Sequence, residues 1–134
     1  MCKLGDIIVV KNYIGNDGEN VGRHSFIVIN DEKGTIIGLD YDIVAVVISS
    51  FKNKKQKKKK LSYDGNFELD NNSMNEITLK KESYVKIDKL FYFNKKKTEY
   101  YILATLKPEI LEKLLKAILL LHNANKIEQI IDNL

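Results

Sequence analysis

The chain has 134 residues, of which 44% are hydrophobic and 30% are charged, and its formal net charge is +4. This length predicts one domain, and no apolar run approaches the ~20 residues that a bilayer-spanning helix needs. The single cysteine excludes a disulfide framework, and the N-terminal residues lack the pattern of a secretion signal. We therefore expect a cytoplasmic protein with no membrane partner.

Short apolar runs separated by turn-forming residues predict strands in the first half of the chain. A buried strand is expected at residues 6–11, followed by a loop at 15–20. Strands at 26–29 and 35–39 are expected to form a hairpin, with Gly34 supplying its turn. Residues 43–48 are apolar on both faces, which is typical of a central strand in a closed or covered sheet. This strand should deliver Ser49 and Ser50 to the rim of the sheet.

The second half predicts more strands and then a helical region at 108–134. Strand candidates lie around Phe67 and Ile77, and at 84–87, 90–93 and 100–105. Pro108 suits a first helical turn. The apolar pattern after residue 126 is about half a turn out of phase with the preceding one, which indicates either a break near 123–125 or a helix apolar on both faces. The predicted fold is α+β and strand-rich, a small, strongly curved antiparallel β-barrel or sheet with a C-terminal helix.

A run of lysines follows the central strand. Residues 52–60 contain seven lysines and no acid, so the remainder of the chain is slightly acidic and the positive field is local. Such a run attracts polyanions, because each lysine that displaces a counterion adds affinity for nucleic acid. The alternative is a solvated, disordered loop.

Five residues could supply chemistry on a phosphodiester: Arg23, His24, Ser49, Ser50 and Lys52. An arginine fork holds a phosphate bidentately, a histidine moves protons near neutral pH, and hydroxyls and lysines stabilise transition-state charge. Together they suit metal-free RNA cleavage, in which the ribose 2′-OH is the nucleophile. Each also has a structural alternative: a surface arginine, a hydrogen-bonding histidine and serines that satisfy backbone groups.

Metal and nucleotide triphosphate chemistry have little support. No histidine or cysteine pair has ligand spacing, and no glycine pattern forms a phosphate loop. Asp40 and Asp42 could share a site, but a turn is the simpler interpretation. We expect no cofactor and no metal.

The segments 5–10, 22–29 and 48–50 resemble the sequence skeleton of the MazF/PemK/Kid endoribonuclease toxins. In that family a Gly-Asp strand, a Gly-x-Arg-Pro step and a Thr/Ser-ended strand build the active site. Residues 49–52 and the lysines after them are closer to the Thr/Ser-Ser-x-Lys segment of the ToxN/AbiQ toxins, and the combination with 24–26 and 61–67 most resembles the CptIN family. His24 replaces the proline expected after Arg23.

The resemblance implies an SH3-like barrel and a metal-independent, sequence-selective endoribonuclease toxin that leaves a 2′,3′-cyclic phosphate and a 5′-hydroxyl. It matches Arg23 and Ser49 to the MazF-like catalytic pair, and Ser49, Ser50 and Lys52 to the ToxN-like segment; His24 is added from its chemistry. The implied partners are a cellular RNA substrate and a folded, repeat-derived antitoxin RNA, in a protein–RNA oligomer. The residues predicted to bind RNA are Lys11, Tyr13, Ser25, Lys54, Lys55, Lys57, Lys58, Lys59 and Lys60.

Two alternatives stay open. One is a homodimeric type II toxin blocked by a protein antitoxin that buries the same groove. The other is a non-catalytic RNA-binding barrel whose hydroxyls only hold phosphates. Incubating the pure protein with RNA and a chelator separates the second alternative from an enzyme.

Overall fold

The computed structural model describes residues 2–30 and 43–134. Within these two segments the chain forms two helices, α1 (Lys54–Leu61) and α2 (Pro108–Asn123). It also forms ten strands: β1 (Asp6–Val10), β2 (Tyr13–Ile14), β3 (Asn20–Val21), β4 (His24–Asn30), β5 (Ile43–Ser50), β6 (Asn66–Leu69), β7 (Ser83–Lys86), β8 (Lys89–Phe93), β9 (Tyr100–Thr105) and β10 (Glu128–Asn133).

Eight of these strands form one sheet, in which β10, β8, β5, β4, β1 and β9 lie side by side in that order. The second half of β5 also pairs with β7, which pairs with β6. All pairs are antiparallel except β8 with β10. A strand-rich α+β fold with a C-terminal helix is therefore confirmed. In the described segments β9 and β10 end the sheet without pairing with each other, so closure into a barrel is not observed.

Strand β5 is the centre of the molecule, and its first six residues are buried. Consecutive residues of a strand point to opposite faces of the sheet. Val44, Val46 and Ile48 pack with the buried residues of α2, on what we call the helix face. Ile43, Ala45 and Val47 pack with Phe26, Phe91 and Phe93, on what we call the aromatic face. The covered central strand predicted from the sequence is confirmed.

Helix α2 begins at Pro108, as predicted, and buries Leu114, Ile118 and Leu121 against the sheet. It ends at Asn123, and Asn125 adopts a left-handed conformation with φ of 56° that turns the chain back. The predicted break is confirmed, but the prediction of a helix after it is wrong, because residues 128–133 are strand β10. Pairing with the edge of β8 satisfies backbone groups that a short, isolated helix would leave to water.

The lysine run forms helix α1 from Lys54 onward, so the alternative of a solvated, disordered loop is wrong. Asn53 caps the helix, since its side-chain oxygen accepts a hydrogen bond of 2.8 Å from the Gln56 N–H. The Gln56 side chain in turn accepts from the Lys52 N–H at 2.6 Å, which resembles a capping box. Lys58, Lys59 and Lys60 occupy the last turn, where cations interact favourably with the negative end of the helix dipole.

Most of the other strands predicted from the sequence are confirmed, and one is wrong. Strands at 6–11, 26–29, around Phe67, and at 84–87, 90–93 and 100–105 are confirmed with ends shifted by a few residues. The strand near Ile77 is wrong: the Glu76 carboxylate, not a neighbouring strand, accepts from the Thr105 N–H at 2.7 Å. The expected loop at 15–20 is the turn of a small hairpin, β2–β3. The predicted strand at 35–39, Gly34, Asp40 and Asp42 lie outside the described residues.

Neither described helix combines the length and the apolar character needed to cross a bilayer.

Candidate active site

A groove of about 450 Å³ lies at the rim where β4 begins and β5 ends. We call it the rim groove. It brings together five of the predicted site residues and adds Ser83, with an apolar floor formed mainly by Ile7, Ile48, Met74, Leu79 and Leu103. The predicted residues in the groove are Arg23, His24, Ser25, Ser49 and Ser50.

Strand register explains how residues 25 positions apart in the sequence meet here. Phe26 of β4 pairs with Val47 of β5 in antiparallel register. His24 lies two residues before Phe26, and Ser49 lies two residues after Val47. Because residues two apart in a strand point to the same face, His24 and Ser49 point to the aromatic face with Phe26 and Val47. Ser25 and Ser50 alternate to the helix face. The predicted group of hydroxyls is therefore divided between the two faces of the sheet.

His24 is fixed by a hydrogen bond across the strand pair. Its Nε2 lies 2.7 Å from the backbone oxygen of Ile48. Because a carbonyl oxygen only accepts, Nε2 must carry the hydrogen, and the neutral ring keeps its lone pair on Nδ1. His24 thus has the hydrogen-bonding role that was its structural alternative, and its second ring nitrogen is still able to take a proton.

Arg23 lies in the link between β3 and β4 and is exposed. In the described part of the chain its guanidinium has no carboxylate within ion-pair distance. It is the only cationic side chain among the described residues that line the rim groove. An anion in the groove would meet an uncompensated planar donor fork.

Lys52 does not line the rim groove. It lies along a neighbouring groove of about 540 Å³ with Ser50, Lys54, Lys81 and Glu82. Ser50 is the residue shared by the two grooves. Lys52 is therefore placed at the approach to the rim, beside the N-terminus of α1.

Five of the six lysines of α1 fall into two groups, and the sixth, Lys60, is half-buried. Four are exposed and share one side of the helix, which we call the lysine face: Lys54, Lys55, Lys58 and Lys59. Lys57 turns inward and forms ion pairs with Glu68 at 3.2 Å and Glu82 at 3.3 Å, above the ring of Phe51. These carboxylates raise the pKa of Lys57 and neutralise its charge locally. Lys57 therefore anchors the helix, although the sequence predicted that it binds RNA.

Two other predicted RNA-binding residues have structural partners. The ammonium of Lys11 lies 3.8 Å from the Glu99 carboxylate, on the surface. Tyr13 is buried, and its ring makes edge contacts with His24, Phe26, Phe91 and Phe93. Burial raises the pKa of the Tyr13 hydroxyl. The Tyr13 ring is part of the core rather than a free stacking platform.

A second, smaller cavity of about 190 Å³ lies between the β2–β3 hairpin and the aromatic face. We call it the hairpin cavity. His24 and Ser49 line it as well as the rim groove, and Lys86 and Lys89 supply cations to it. Lys89 forms an ion pair of 2.8 Å with Glu128, which raises its pKa. Burial, followed by the nearby charge of Lys60, lowers the pKa of Lys86.

Sequence reasoning missed Lys86. A signal was present, because Lys86 lies between Val85 and Ile87 in a predicted strand, and both of those neighbours are buried. A lysine at the alternating position of such a strand is directed away from the core that its neighbours occupy. Which groups share that face depends on the pairing of β5, β7 and β8, and this pairing is visible only in the structure.

In the described residues no group of three or more histidine, cysteine, aspartate or glutamate side chains could hold a metal ion. The chain matches no model of a known protein family. No curated protein is significantly similar to it in sequence.

Proposed function

We propose that this chain is a metal-independent, sequence-selective endoribonuclease toxin that is neutralised by a folded antitoxin RNA. The observation that carries the proposal is the meeting of Arg23, His24 and Ser49 at one rim of the sheet, next to the lysine face. An SH3-like closure of the sheet and assembly with the antitoxin RNA into a protein–RNA oligomer belong to the same proposal.

The reaction needs no group beyond the RNA and the protein. The ribose 2′-oxygen attacks the adjacent phosphorus, the new P–O2′ bond forms and the P–O5′ bond breaks. Nδ1 of neutral His24 takes the 2′-OH proton and later releases it to solvent, and the departing 5′-oxygen takes a proton from solvent water and leaves as a hydroxyl. Arg23 and the Ser49 hydroxyl donate hydrogen bonds to the phosphoryl oxygens, on which negative charge grows in the transition state. The products are a 2′,3′-cyclic phosphate and a 5′-hydroxyl.

The lysine face supports binding of a long polyanion. Four ammonium groups on two successive turns carry no acidic neighbour on their own helix. Their contacts would neutralise backbone phosphates without regard to sequence. This property suits a surface that grips a folded RNA, while base selection is left to residues nearer the rim.

The test is digestion of an unstructured RNA by the pure protein in excess chelator, with end analysis of the products. We expect fragments with 2′,3′-cyclic phosphate and 5′-hydroxyl ends, formed about 100- to 1,000-fold more slowly by protein carrying Ser49→Ala. Binding without cleavage would favour the non-catalytic RNA-binding barrel. Cleavage that requires an added divalent ion would refute the metal-independent mechanism.

A second experiment addresses the antitoxin. The Ser49→Ala protein is purified from its native host and treated with nuclease. If the partner is RNA, we expect a bound RNA of uniform length that is removed by digestion. A bound polypeptide that resists nuclease would indicate a type II toxin instead.

A further inference from the structure

The aromatic face, rather than the helix face, carries two of the three residues assigned to the reaction. His24 and Ser49 point to it by strand alternation, and Tyr84 lies opposite Ser49 in the β5–β7 pair. Phe51 stacks on Tyr84 with ring centroids 4.7 Å apart, and Lys57 of α1 lies over Phe51. Helix α1 therefore packs on the same face as His24 and Ser49. The rim groove opens largely over apolar residues of the helix face.

Lys86 lies on this aromatic face, in the hairpin cavity with His24 and Ser49. It is half-buried, and within the described segments its ammonium group has neither a hydrogen bond nor an ion pair. The neighbouring lysine in the cavity differs, because Lys89 is neutralised by Glu128. A partly desolvated ammonium without a partner is costly to the folded state, and a phosphate oxygen would relieve that cost.

We infer that Lys86 is a catalytic residue that reaches the scissile phosphodiester from the hairpin cavity, at His24 and Ser49, the two residues that this cavity shares with the rim groove, and neutralises the charge that develops there. The inference rests on the proposed function and deepens it. It adds Lys86 to the reaction centre as a second cation opposite Arg23 of the rim groove, whereas Lys52 lies along a neighbouring groove. The bond changes are those of the 2′-OH transfer already described, with Lys86 keeping its protons throughout.

Several charged and titratable groups surround Lys86. Lys60 of α1 and Lys89 of β8 repel its ammonium, and Asp88 attracts it. His24, Tyr13 and Asp17 share the cavity. Burial and Lys60 lower the pKa of Lys86, so the ammonium is present below that lowered value and is lost as the pH rises through it. Cleavage should therefore decline at a pH below that at which ordinary lysines deprotonate.

The test compares Lys86→Met and Lys86→Arg with a control, Lys113→Met, which removes an exposed charge from α2. We expect Lys86→Met to lower kcat by about 100- to 1,000-fold with little change in KM, as for loss of one transition-state donor. Lys86→Arg should retain more activity and lose the alkaline decline, because arginine stays charged. Lys113→Met should behave as wild type.

Loss of activity through unfolding is not expected, because removing an unpaired, half-buried charge should leave the melting temperature equal or higher.

As an independent measurement, the Lys86 side chain is titrated by NMR with and without a 2′-O-methyl RNA, which lacks the nucleophile. Bound phosphate should raise the pKa of Lys86. A kcat of Lys86→Met within about two-fold of wild type, a change in KM alone, or a Lys86 pKa that RNA leaves unaltered would each overturn the inference while RNA cleavage stands. Absence of cleavage by the wild-type protein would overturn the proposed function together with it.

Discussion

At the scale of single residues, the site depends on the ends of two paired strands. His24 begins β4, Ser49 lies next to the end of β5, and the cross-strand hydrogen bond from His24 Nε2 to the Ile48 oxygen ties the two ends together. Arg23 precedes this point and carries an uncompensated charge at the groove. A small number of side chains, held by regular backbone pairing, would therefore set the chemistry.

Removing the predicted transition-state donors gives the first prediction. Ser49→Ala and Arg23→Ala should each reduce cleavage by about 100- to 1,000-fold, because each removes a donor to the phosphoryl oxygens. Ser62→Ala is the matched serine control: its hydroxyl donates to the Lys59 oxygen at 2.6 Å near the end of α1, away from both cavities. Rates are measured on one RNA at equal protein concentration, with circular dichroism to verify folding. If both variants cut as fast as wild type, the active site lies elsewhere.

A second substitution separates the two roles of His24. Glutamine can donate a hydrogen bond to the Ile48 oxygen, as Nε2 does, but it cannot accept a proton from the 2′-OH. His24→Gln should therefore fold normally and lose about 100- to 10,000-fold in cleavage, the usual contribution of a general base. Thermal melting and single-turnover cleavage provide the measurements. A variant that is active but unstable would indicate that the histidine is purely structural.

At the scale of elements, α1 is a polar helix fixed to the body by its edges rather than by a buried apolar face. None of its residues is fully buried. Its attachment to the body comes from the two ion pairs of Lys57 and a hydrogen bond of 2.9 Å from Asn66 Nδ2 to the Lys60 oxygen, while Asn53 and Gln56 cap it locally. Local opening of such a helix should require less free energy than unfolding of the sheet.

The ion pairs of Lys57 supply a test of that attachment. Lys57→Gln should speed amide hydrogen exchange throughout α1, because it removes the ion pairs with Glu68 and Glu82. Lys58→Gln removes an equal charge from the exposed side and should leave exchange unaltered. Since Glu68 and Glu82 raise the pKa of Lys57, its contribution to stability is present below the ordinary lysine pKa and is lost as the pH rises through the raised value. Equal exchange in the two variants would argue against the anchoring role.

Strand β10 offers a matched pair one residue apart. Ile130 is 5% exposed and packs on the aromatic face, whereas Ile131 is 58% exposed. Ile130→Ala should lower the free energy of unfolding by about 2–4 kcal/mol, and Ile131→Ala by about 0.5 kcal/mol or less. Denaturant titration measures both. Similar losses in the two variants would be inconsistent with a buried Ile130 next to an exposed Ile131.

At the scale of the whole molecule, the positive charge is concentrated on α1 and continues inward. The lysine face is exposed, whereas Lys60 is half-buried on the inner side of the helix. Lys60 is close enough to Lys86 on the aromatic face for its charge to lower the pKa of Lys86. This arrangement would lead a polyanion from the surface of the helix toward the hairpin cavity. The lysines that attract the RNA and the residues that would cleave it would then lie on the same side of the sheet.

The salt dependence of binding measures the outer part of that path. In a Ser49→Ala background, the four residues of the lysine face are converted to glutamine. The slope of log affinity against log salt for single-stranded RNA should become less steep by about 3, at ~0.7 for each phosphate that is no longer neutralised. The control converts four other exposed lysines: Lys96, Lys97, Lys113 and Lys116. Because net charge changes equally, a general effect of charge would alter both slopes alike. An unaltered slope in the first variant would show that α1 does not contact the phosphates.

The amino-acid sequence by itself determined the strand-rich α+β fold, the buried central strand and the helix that begins at Pro108. These follow from local signals: β-branched runs, hydrophobic periodicity and a proline that suits the first helical turn. The chemistry of their side chains, together with their places at the ends of predicted strands, identified Arg23, His24 and Ser49 as candidates for one site. Antiparallel pairing of β4 with β5 then brings them together.

Tertiary structure decided what local patterns left open. Residues after Asn125 have apolar spacing that is compatible with a helix, yet they form a strand because the edge of β8 is available for pairing. The lysine run forms a helix because Asn53, Gln56, Glu68 and Glu82 hold it, and two of these lie beyond the run itself. Lys86 joins His24 and Ser49 only through the pairing of separate strands. Burial and the pairing of distant segments are properties of the folded chain, which no short stretch of sequence contains.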